Sequence, residues 1–197
     1  PFGGRAGVAA CLASASLLVD GIAMDPIKTS TTDDQARIEL RAAVSTLDAA
    51  EAAADPARLS QALADVSRCH RAVGALAEAD WYAKRGLAVA RTIGAVDASV
   101  DALCHLAELA LERAERLDEQ DETRGAHRLR DAVRDHGYEA AQLARHTADP
   151  QWEVTVLLRV ADLFDRLGDH EDAIALQCRA MGLMSGTSDQ KPLAKAA

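Results

Sequence analysis

The sequence predicts an all-α fold of about seven helices, on three observations. Apolar residues make up 49% of the 197 and aromatics only 3%, so Ala and Leu carry most of the apolar content. Ala is the best helix former, and its small side chain lets helices approach closely. Val and Ile are sparse, and no stretch alternates apolar with polar residues for long, so no strand is predicted. Helix start and stop signals recur at helix-length intervals: Asp55-Pro56 and Asp149-Pro150 as starts, Gly74, Gly94 and Gly168 as stops. An Asp caps free N–H groups, and Pro suits the first helical position because it has no N–H to waste.

The elements follow in order. Residues 1–30 form an extension, expected to be poorly structured or non-native, and its first 23 residues stand apart in composition. Ala6 to Val19 is small and apolar with Arg5 before it, and a polar lead-in follows Met24. The rival reading is a truncated signal peptide, since Val8-Ala9-Ala10-Cys11 resembles a lipoprotein cleavage site. Asp20 interrupts the run, which falls short of the roughly 20 apolar residues of a membrane span. The repeat domain is placed at 31–185. Its first helix is predicted at about 33–53, with Ile38, Leu40, Val44 and Leu47 on the apolar side. The second runs from about 56 to 73 and the third from about 76 to 93. Asp97 is expected to cap a fourth helix at about 98–118, and a fifth spans about 122–147. Asp149-Pro150 opens a sixth at about 150–167, and the seventh covers about 170–184. Ser185-Gly186-Thr187-Ser188 is expected to stop it, leaving 186–197 as a flexible tail.

Composition narrows the function classes. A formal charge of -9 repels phosphate backbones, and no basic cluster overrides it, so nucleic acid is not an expected partner. A chain of this length can bury roughly two-thirds of its unfolded surface and needs no disulfides. Cys11, Cys69, Cys104 and Cys178 lie far apart with no CxxC among them. That favours a reduced, cytoplasmic protein, with export as the alternative if residues 1–23 are a signal remnant.

Two helix pairs repeat without a gap. At an offset of 94, Ala54-Asp55-Pro56 falls on Ala148-Asp149-Pro150, Leu63 on Leu157, Val66 on Val160, Gly74 on Gly168, Ala79 on Ala173 and Arg85 on Arg179. Leu157, Ala161, Phe164, Gly168-Asp169, Ala173 and Ala180 follow the spacing of a tetratricopeptide repeat, and the chain resembles that family. Leu63, Ser67, His70, Gly74, Ala79 and Gly86 follow it more loosely. In the middle pair Leu103, Leu106, Ala107 and Ala110 fit, but the turn Gly is absent. The starts at Asp55, Asp97 and Asp149 lie 42 and 52 apart rather than a strict 34. The resemblance covers about 55–184. It implies a right-handed α-α superhelix with a concave groove that holds peptides or protein segments.

No sequence pattern points to catalysis, so the chain is read as a non-enzyme with no cofactor and no metal site. It carries no phosphate loop, GxSxG or HExxH. His127, His136 and His146 are expected to be solvated, and His70 to be packed. Asp101, His105, Glu108 and Glu112, spaced 4, 3 and 4, share one stripe of the fourth helix opposite Leu103, Leu106, Ala107 and Ala110. That stripe reads as a solvated face, as the lining of a groove, or as half of a metal site completed by a facing helix. The resemblance implies the groove, with Gln61, Arg68 and Arg71 from the first pair and Thr155, Arg159, Asp162, Asp165 and Arg166 from the last. The residues expected to bind a partner are therefore Arg68, Asp101, His105, Glu108, Glu112, Arg159 and Asp162. The acidic centre suggests a protein or peptide partner with basic residues. Apolar residues on several sides of the seventh helix suggest a homodimer through that helix. The alternative function is a sensory or regulatory segment of a bacterial signalling protein, for example one associated with a nucleotide cyclase.

Overall fold

The computed structural model describes residues 31–147 and 149–188. The extension and the segment after Ser188 lie outside these residues, as does the question of whether either is ordered. The described chain forms α1 (Thr31–Ala53), α2 (Pro56–Ala72), α3 (Leu76–Thr92), α4 (Val96–Asp118), α5 (Thr123–Leu143), α6 (Pro150–Leu167) and α7 (His170–Ser188), with a 3-10 turn at Ala144–His146. No strand occurs among the described residues. The fold is an all-α helical repeat array.

The chain signals act as local chemistry requires. Asp55 accepts N–H bonds from Ala57 and Arg58, and Asp149 accepts one from Gln151, each ahead of a first-position Pro. Gly74, Gly94 and Gly168 adopt φ of +77°, +68° and +89°. In each, the next residue's N–H reaches back across the last turn: Ala75 to His70, Ala95 to Ala90, Asp169 to Phe164. This closes the helix on a left-handed residue. The middle pair, which lacks the glycine, makes the same turn with Asp121 at φ +60°, and Glu122 donates back to Leu117.

Three boundaries differ from expectation. The fourth helix begins at Val96, behind Ala95, and Asp97 lies in its first turn rather than capping it. The Gly94 turn delivers the chain already aimed into the helix, so no side-chain cap forms. The fifth helix ends at Leu143 and tightens into the 3-10 turn. The seventh runs through Ser185 and Gly186 to Ser188, because small polar residues weaken a helix without breaking it.

Helices next to each other in sequence pack against each other, and α2 also touches α4, as α4 touches α6. The odd-numbered helices make no such contact with one another. Hence α2, α4 and α6 form one layer and α1, α3, α5 and α7 the other. The largest core cluster runs from Leu76 and Ala83 through Leu103, Leu106 and Leu109 to Val160 and Phe164. Ala161 and Ala173 are buried in that cluster, as the repeat spacing expects. Gly137 of α5 faces Phe164 closely enough that a Cβ there would stand 2.7 Å from the ring.

Candidate functional site

The α4 stripe is not a solvated face. As the middle helix of its layer, α4 is flanked by α2 and α6 and backed by α3 and α5, so little of its surface escapes. His105 is only 8% exposed, and the Glu108 side chain 17%. Only Asp101 of the four is largely exposed.

The neighbouring helices supply the missing counter-charges. Arg71 of α2 donates from Nη1 to Glu108 Oε2 and from Nε, at 2.8 Å, to Glu112 Oε1. Arg159 of α6 reaches Glu108 Oε1 from Nε and Nη2 at 2.7 Å, and its Nη1 lies 3.8 Å from Asp101. Further along α6, Arg166 donates to Glu115 at 3.0 Å. Asp101, Glu108 and Glu115 are seven apart, as are Arg159 and Arg166, so the pairs recur every two turns along one helix edge. Glu108 is the hub, holding one arginine from each flanking helix.

Burial would raise the Glu108 carboxyl, but His105, Arg159 and Arg71 together outweigh it and hold the group at about 2. Arg71 is partly desolvated, yet its bonds to Glu112 and Glu108 prevail and push it up. His105 Nε2 lies 2.9 Å from Ser67 Oγ. The Ser67 hydroxyl spends its proton on the Ala79 carbonyl at 2.7 Å, so Oγ accepts and Nε2 carries the hydrogen. His105 Nδ1 stands 3.9 Å from Glu108.

The remaining expected site residues fall outside this network. Arg68 is exposed and pairs with Asp65 of its own helix. Asp162 is exposed on α6. A cleft of about 260 Å³ opens between α2 and α4 over α3, with Gln61, Arg68, Asp101 and His105 among its polar lining. So Arg68, Asp101 and His105 meet at one cleft, while Glu108, Glu112 and Arg159 form the adjoining ion network. Ser67 and Glu115 escaped the sequence reading. The seven-residue spacing from Asp101 to Glu108 would have pointed to Glu115; nothing local pointed to Ser67.

The other histidines divide. His127 and His146 are exposed as expected, but His136 is half-buried, and burial pushes its imidazole down. His70 stacks on Tyr82 at 5.1 Å, and its buried Nδ1 has no partner among the described residues. Cys104 is buried and its thiol is pushed up by burial to about 11, whereas Cys178 is exposed. Among the described residues no group of three His, Cys, Asp or Glu could hold a metal ion. No described helix is long and apolar enough to cross a membrane.

The fold and this geometry define a helical repeat module. No family model matches the chain, and no curated protein matches it. Among solved structures it is similar to the de novo designed helical repeat protein DHR64, at 23% identity over 80% of this chain and 83% of that one, with a TM-score of 0.42. It is similar to the DHF58 filament at 22% identity, covering 80% and 82%, TM-score 0.42. BtubC (BKLC) from P. vanneervenii aligns at 15% identity over 84% and 82%, TM-score 0.34. Likenesses at this level carry no argument about function.

Proposed function

We propose that this chain is a binding module of the tetratricopeptide-like kind, and that the layer of α2, α4 and α6 holds a peptide or protein segment. One observation carries the reading. The cleft between α2 and α4 gathers Gln61, Arg68, Asp101 and His105, and Arg159 adjoins it through Asp101. Clefts lined by apolar walls with a few polar groups are the usual form of a binding site.

The ion network changes the partner. Glu108 and Glu112, which suggested a basic ligand, are already matched by Arg71 and Arg159. What the layer exposes is mixed: Asp101, 3.8 Å from Arg159, and Asp162 on one sign, and Arg68, paired with Asp65, on the other. A segment of mixed polarity fits better than a strongly basic one, and each exposed charge contact would contribute about 0.2–1 kcal/mol.

Replacing Gln61, Asp101 and Asp162 together by Ala tests this, because all three are exposed and the network loses only the long 3.8 Å Asp101–Arg159 pair, while Glu108 keeps both arginines. Affinity capture from native extract should lose its specific partner band while the melting temperature stays put. An unchanged set of captured proteins would remove this layer from consideration.

A further inference from the structure

The 94-residue echo holds in three dimensions. Tyr82 and Val89 of α3 pack on the cluster of Leu63 and Val66, Gly86 stands against Leu63, and the Ala79 carbonyl takes the Ser67 hydroxyl of α2. Their echoes Leu183, Leu176, Ala180 and Ala173 are the residues α7 turns onto α6.

The α2–α3 pair has a second covered side, the groove that α4 fills. Asp80 meets Arg113 of α4 at 3.5 Å, Leu87 lies in the core cluster with Val100, Leu103 and Cys104, and Ala64 faces Ala98 and Ala102 across the cleft. Ninety-four residues on, Ala64, Asp80 and Leu87 become Leu158, Ile174 and Met181. These three are 46%, 57% and 57% exposed. The α6–α7 pair thus repeats the groove that holds α4, makes it more apolar, and has no described helix over it. Large apolar side chains aligned in this way mark an association surface.

The internal groove also defines the occupant. It holds a helix antiparallel to α3, and α7 of a second copy meets the same terms. A two-fold axis across α7 sets the two α7 helices antiparallel, and each then lies in the other's α6–α7 groove. The four helices make an antiparallel bundle. Charge and size agree. On α3 the echo positions Asp80, Lys84 and Arg91 are charged and paired. On α7 the matching stripe reads Ile174, Cys178, Met181 and Ser185, and carries no charge. Antiparallel pairing brings the larger Ile174 and Met181 opposite the smaller Ser185 and Cys178. The exposed Ile38 of α1 is a poorer match, since it shares its side with the exposed Asp34 and Arg41.

We infer that the α6–α7 groove takes α7 of a second copy, in the place that α4 takes against α2 and α3, giving a two-fold dimer. The surface is separate from the partner-binding layer. Arg68, the echo of Asp162, stays exposed beside α4, so Asp162 stays open beside the second copy's α7.

Sedimentation equilibrium on the full chain tests this. A reversible monomer–dimer exchange is expected between about 10 µM and about 1 mM, the range of a weak interface. Leu158→Lys on α6 and Met181→Lys on α7 should each weaken the dimer at least about tenfold, because each buries an unpaired charge. Both positions are exposed in the single chain, so helix content and melting of the dilute variants should match the parent. Ile38→Lys on α1 should leave the dimer intact. A chain that stays monomeric at the top of that range, or a dimer indifferent to Leu158→Lys and Met181→Lys, would overturn the pairing. Species that grow beyond the dimer and disappear with Ile38→Lys would overturn it as well, in favour of head-to-tail contact between α7 and α1.

Discussion

Replacing Glu108 by Gln keeps the shape of the side chain and removes the charge that binds α2 and α6 to α4. Arg71 and Arg159 would then face a neutral amide in a half-buried site. The carboxyl drops from its ordinary 4.5 to about 2 on folding. Each unit corresponds to about 1.4 kcal/mol, but water reaches part of the site, so a loss of about 1–3 kcal/mol is expected. For a chain of this size that lowers Tm by roughly 3–10 °C. The sign in pH follows from the depressed value. The stabilisation is fully present above about pH 4.5 and is lost as pH falls towards 2, where the folded carboxyl takes up its proton. Urea denaturation of both proteins at several pH values reads this directly. The gap between them should be constant from pH 7 to 5, shrink below pH 4.5 and nearly close at pH 2. A gap absent at pH 7, or unchanged down to pH 2.5, would refute the hub.

Three further outcomes are expected. Gly137→Ala should destabilise by about 1–2 kcal/mol in thermal melts, because the buried Phe164 ring cannot clear a Cβ at 2.7 Å and the clash outweighs the gain in helix propensity. Ala54→Gly should raise stability by about 0.5 kcal/mol, since Ala54 is held at φ +52°, where Gly is unstrained, and the relief exceeds the added chain entropy. Thiol titration should modify Cys178 at once, whereas buried Cys104, its thiol pushed up to about 11, should react only on unfolding.

Much of the fold was legible because its signals are local. Asp-Pro starts, glycine stops and the 94-residue echo depend on a few neighbouring residues each, and they bound α2, α3 and α6. Asp97 misled because a cap side chain in sequence says nothing about a preceding turn that already aligns the helix. The candidate site was only half legible. Spacing alone puts Asp101, His105, Glu108 and Glu112 on one stripe, but whether water or arginine meets that stripe depends on two other helices. The middle position of α4 in its layer decides for arginine, and with it the expected basic partner loses its main support. The seventh helix shows the same limit. Ile174 and Met181 are exposed, while Leu183 packs beside Ala141, Leu157 and Ala180, so only part of the helix's apolar surface is open to a second copy and a test of dimerisation belongs at Met181.

The proposed function puts partners on the α2, α4 and α6 layer. Photo-crosslinking measures it most directly, with a photoreactive side chain placed at Gln61 or Asp162 in one set of proteins and at Arg124 or Arg128, exposed on α5, in another. A discrete crosslinked adduct is expected in native extract from the first set and none from the second. Adducts from the α5 positions alone would contradict it.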